Sequence, residues 1–98
     1  MGLSDSINNG QVCLPERLTL QEAAPVLERL GRELQKQAGP TVSLNASALN
    51  VFDSSAVAVL LELRRSLLVQ GKKLAVTERP QRLRDLVGLY GVDGLLAG

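Results

Sequence analysis

The sequence predicts an α/β domain: a small mixed sheet of four or five strands with helices mainly on one face. Three observations predict it. Short apolar runs (Gln11 to Leu14, Thr41 to Asn45, Leu74 to Thr77) alternate with longer runs whose leucines recur at helical spacing. Turn residues fall between them, at Gly39-Pro40, Gly71 and Glu78-Arg79-Pro80. Strands joined through helices favour parallel pairing and right-handed crossovers, and 98 residues are too few to clad both faces of a sheet. Residues 1–98 are therefore expected to form a single domain.

Taken in order, Asn8-Asn9-Gly10 signals a hairpin, because Asn-Gly supplies the positive φ angles of a tight turn. Residues 1–10 would contribute a short edge strand, Leu3 to Ile7, turning back into Gln11–Leu14, which Pro15 stops. Thr19 and Glu22 fit a capping box. Leu20, Ala23, Leu27, Leu30 and Leu34 then make one apolar stripe. Pro25, one turn in, is expected to bend this helix or to mark its regular start. The next strand places Val42 and Leu44 on one face, and Ala46 to Asn50 is a connection.

The stretch from Leu49 to Arg65 organises the rest. It reads as an extended approach, a polar corner at Asp53-Ser54-Ser55, and a helix running to about Gln70. Asp and Ser accept the first unpaired N–H groups of a helix. Ala56 to Leu61 holds no polar residue, so the first turns should be enclosed by protein. Two hydroxyls thus stand at the positive end of a helix dipole, where a phosphate or a partner's acceptor group could find N–H groups. The corner has two readings: a capped core helix, or a docking point. Gly71 closes the helix, and Lys72 and Lys73 lie where they complement its negative end. After the last strand, Pro80 suits the first position of a helix whose apolar face is Leu83, Leu86, Val87 and Tyr90. Gly91 ends it, and Leu95 and Leu96 are expected to pack down.

Composition excludes more than it asserts. Lys and Arg total 11 against 10 Asp and Glu, so no global field draws the chain to nucleic acid or an anionic membrane. No apolar run approaches the roughly 20 residues of a membrane span, and no secretion signal opens the sequence. A cytoplasmic location without membrane insertion is expected. Cys13 is the single cysteine, reads as a buried small hydrophobe and suits a reducing compartment. The absence of histidine removes the commonest general base and metal ligand. There is no phosphate-cradling glycine loop. Asp53 as a phosphoacceptor would need a partner acidic cluster, and no paired acids follow the first strand. No catalytic residue, cofactor or metal is expected. Arg79, Arg82 and Arg84 gather at the start of the last helix, either as a solvated face or as a contact patch for an acidic partner.

From Gln11 onward the chain resembles the STAS domain (sulfate transporter and anti-sigma factor antagonist). The resemblance rests on the strand Thr41–Asn45, on Asp53-Ser54-Ser55 before the apolar run Ala56–Leu61, and on Gly71-Lys72-Lys73 entering Leu74-Ala75-Val76. It implies the anti-sigma factor antagonist-like fold and a non-enzymatic interaction module. In antagonists the residue after the Asp is phosphorylated by a partner kinase, which maps onto Ser54; phosphate there would add nearly two negative charges. Ala56 replaces the family's frequent Gly, and Asn45 and Thr19 stand where acids often flank the phosphosite. Those departures weigh against phosphorylation, not against the fold. With Pro25 in its first helix, the chain looks more like the cytoplasmic STAS subunit of the bacterial Mla phospholipid ABC transporter. That likeness implies a regulatory subunit bound to the transporter ATPase and so peripheral to the inner membrane. It implies a contact through Ser54, with Asp53 and Ser55 beside it; exposed positions farther along the helix, such as Glu62 and Arg65, are expected to join that contact. The alternative partner is an anti-sigma factor kinase. Weak pairing of two copies is also expected.

Overall fold

The computed structural model describes residues 12–92 and 94. The expected strand Leu3 to Ile7, the Asn8-Asn9-Gly10 turn and the packing of Leu95 and Leu96 lie outside the described residues.

The described elements are β1 (Val12–Cys13), β2 (Arg17–Leu18), α1 (Leu20–Gln35), β3 (Thr41–Asn45), β4 (Val51–Phe52), α2 (Ser54–Val69), β5 (Lys73–Thr77) and α3 (Gln81–Leu89). Strands β1, β3 and β5 form one sheet in that order, all parallel, with Val12 beside Leu44 and Val42 beside Leu74. Each crossover steps the same way across the sheet. Right-handed crossovers then place α1 and α2 on the same face, where they pack against each other. The expected α/β class with clustered helices is thus present. Among the described residues every strand pairing is parallel; the antiparallel component of a mixed sheet was expected from Leu3 to Ile7.

Alternation in the strands decides which side is dry. Val42, Leu44, Leu74 and Val76 are buried, whereas Thr41, Ser43 and Lys73 on the opposite face are exposed. Cys13 follows that second face and is only half-buried, not enclosed as expected. The core joins these strand residues to Leu30 and Leu34 of α1, to Leu60, Leu63 and Leu67 of α2, and to Leu83 and Val87 of α3.

Helix α1 begins at Leu20 under a complete capping box and runs unbroken through Pro25. Pro25 is exposed, and the carbonyl it leaves without a helical donor belongs to exposed Gln21, so water can serve it. Leu20, expected on the apolar stripe, is 76% exposed because the stripe turns inward only from Ala23. Helix α2 closes in a Schellman motif: Gly71 (φ 76°) donates to Leu68 O and Lys72 to Leu67 O. The Lys72 ammonium serves a different helix from the one expected. It donates to Gln35 O and Gln37 O at 3.0 and 2.9 Å, capping the C-terminus of α1. Pro80 is the N-cap of α3 rather than its first residue, and Tyr90 is a half-exposed C-cap, not part of the buried face.

Candidate protein-docking site

Two strand-to-helix turns lie side by side at one end of the molecule. Strand β2 pairs in parallel with β4, a second small sheet that period reading does not reveal, with Leu18 beside Phe52. Glu16 O fixes the approach by accepting from the N–H groups of Asn50 and Val51 at 2.8 and 3.0 Å. The next residue along each strand, Thr19 and Asp53, is the N-cap of α1 and of α2. The positive ends of both helices therefore meet at this edge.

Asp53 is exposed and bonds to both turns. Its Oδ1 accepts from the Ser55 N–H at 2.8 Å, and its Oδ2 from the Leu20 N–H at 3.4 Å. The Ser55 N–H is the chief cause holding the Asp53 carboxyl below its ordinary range. Across the corner, Thr19 N–H and hydroxyl donate to Glu22 Oε1, and the hydroxyl bond leads in lowering the Glu22 pKa. The Ala56 N–H is also satisfied, by Asp53 O at 3.0 Å. The expectation of ready N–H groups for a phosphate is thus narrowed: the fold's own caps already use those of Ser55, Ala56 and Leu20.

Ser54 is exposed at the first position of α2, whereas Ser55 is turned half inward. Glu62 is half-buried and Arg65 exposed; they pair with each other, Nη2 to Oε2 at 2.9 Å. Ser54, Glu62 and Arg65 fall on one face of α2, together with exposed Ala58 and Val69 and half-buried Leu61. Sequence reading missed the last three. It assigned Ala56–Leu61 wholly to the interior, but Ala58 is exposed, because four buried residues of that run already fill the inward side. The signal was available: a helix apolar over most of its circumference must show some of that surface unless covered.

Of the arginine cluster, Arg82 is engaged within the fold. Its Nη1 donates to Asn50 O at 3.1 Å and its guanidinium lies 4.8 Å from the centre of the Phe52 ring. It thereby holds α3 against the strand that delivers Asp53. Arg84 is exposed. Among the described residues, no group of three His, Cys, Asp or Glu side chains is arranged to hold a metal ion. No helix of the described residues is long and apolar enough to cross a membrane.

Comparison with known families supplies the deciding observation. The family model described as "Mlab, STAS domain" matches residues 1–97. The chain belongs to the STAS domain family, in its MlaB type. No curated protein matches the chain. STAS domains are in general non-catalytic interaction modules. In this STAS domain the turn into α2 is the Asp53 corner, and the face that starts there is the candidate docking surface.

Proposed function

We propose that the chain is a non-enzymatic STAS subunit that docks on the cytoplasmic ATPase of a phospholipid-transporting ABC transporter, supporting its assembly and activity. One observation carries the reading. The face of α2 running from Ser54 through Ala58, Leu61 and Arg65 to Val69 stays open although the helix is apolar over most of its circumference. Small side chains at Ser54 and Ala58 let another backbone approach closely, and Glu62 and Arg65 pair with each other, so neither ion would be covered without a partner. Membership in the MlaB type of the family supports the choice of partner. On this reading the protein lies at the inner face of the membrane only through its complex. Co-purification with the cognate ATPase tests it: wild type should be retained, and Ser54→Glu and Ala58→Arg should be lost while remaining folded. Retention of both variants at wild-type level overturns the docking face.

The exposure of the Ser54 hydroxyl favours a second reading, an anti-sigma factor antagonist phosphorylated there by a partner kinase. The neighbourhood supports it less. Asn45 spends its side-chain oxygen on the Ser47 N–H and hydroxyl at 2.8 and 2.6 Å, and Thr19 is committed to Glu22. Intact mass after incubation with a cognate kinase separates the two: a gain of one phosphate favours the switch, an unchanged mass the transporter role.

A further inference from the structure

Ala58, Glu62, Arg65 and Val69 succeed one another on α2 at alternating four- and three-residue steps, and none of them is fully buried. That is the spacing of a seam along which two helices interlock. Run in the opposite direction, this seam complements itself. About a two-fold axis midway between Glu62 and Arg65, Glu62 meets Arg65 of a second copy, and Val69 meets the second copy's Ala58. We propose that a second copy of this chain docks on this face, α2 against α2 and antiparallel.

The residue types suit that arrangement at each level. Val69, 83% exposed, is the largest apolar group left in water on this seam, and its counterpart is the smallest side chain there. A shallow hollow of about 270 Å³ between Glu62, Arg65, Ser66, Val69 and Gln70 lies where the turn carrying the second copy's Ala58 would seat. Within one chain Glu62 and Arg65 already neutralise each other at 2.9 Å. In the pair each gains a second opposite charge, so the contact buries no uncompensated ion. A parallel arrangement would set Glu62 on Glu62 and Arg65 on Arg65. The contact is one helix face, well under the roughly 1,200 Å² of a stable complex, so the dimer is weak and reversible. It occupies the surface proposed for the ATPase, and the two occupants exclude one another.

Sedimentation velocity of the full chain alone, from tens of micromolar to about a millimolar, tests the inference without the ATPase. The outcome is therefore independent of the transporter reading. The wild-type mass should climb toward twice the monomer with concentration. Arg65→Glu and Glu62→Arg should each stay monomeric, and an equimolar mixture of the two should associate, because one copy then offers two anions and the other two cations. Circular dichroism confirms that each variant is folded, and Val69→Asp provides a third, uncoupled disruption. A wild type that is monomeric throughout, a dimer indifferent to all three variants, or a mixture that stays monomeric overturns the proposal.

Discussion

The carboxylate of Asp53 accepts the backbone N–H of Leu20 at 3.4 Å while its other oxygen caps its own helix through Ser55. One side chain thus ties together the starts of α1 and α2. Asp53→Ala should lower the thermal midpoint, and Asp53→Asn, which keeps an accepting oxygen, should recover most of the loss.

The Asp53 and Glu22 caps also bear on the response to acid. Asp53 is held below its ordinary pKa by the Ser55 N–H, and Glu22 by the Thr19 hydroxyl. A carboxyl whose pKa is lower folded than unfolded contributes its full stability above the unfolded value. It loses that contribution as pH falls through the folded one. Urea midpoints measured from neutrality down to about pH 3 should therefore fall on the acid side, and Asp53→Asn should make that fall shallower. An acid limb equally steep in the variant would mean that Asp53 does not carry it.

Leu60 and Ala58 lie two residues apart on opposite sides of α2. Leu60 is fully buried, and Leu60→Ala should cost about 2–5 kcal/mol by urea unfolding, through lost burial and the cavity left behind. Ala58 is exposed, so Ala58→Arg should change stability by no more than about 0.5 kcal/mol. Its effect should appear in what docks on this face, capture of the ATPase first, and not in folding.

Ser54 separates a steric from a charge requirement at the corner. Ser54→Ala should retain the ATPase and Ser54→Glu should lose it, with both unfolding near the wild-type midpoint. Loss in Ser54→Ala as well would show that the hydroxyl itself is a contact.

Arg82 holds α3 to the approach strand through Asn50 O and the Phe52 ring. Arg82→Ala should destabilise by about 1 kcal/mol, and Phe52→Leu should make the Arg82 substitution less costly. A double-mutant cycle on urea midpoints reads that coupling, and additive losses would mean the ring contact contributes nothing.

Signals carried by near neighbours in the chain were legible. The Thr19–Glu22 capping box, the Asp53 cap, Gly71 as a helix stop and the Val42/Leu44 alternation depend on residues within a turn or two of one another. The element order and the α/β class follow from them, as does the corner. Less legible was anything needing a distant partner. Lys72 reads as a cap for the helix just before it, yet Gln35 and Gln37 are the carbonyls it reaches. Strands β2 and β4 hold two residues each, too few to show a period. They exist because each supplies the other's hydrogen bonds.

By itself, then, the sequence determined the three helices and the strands long enough to show a period, where α2 begins and that its start is polar. Backbone preference and side-chain caps act over a few residues and are written there. Only the tertiary structure decided that the α1 and α2 starts stand together, that Asp53 bonds to both, and that Ala58 and Val69 face water. Those facts depend on which surfaces the packed sheet and helices leave uncovered, and packing joins residues that the chain keeps far apart.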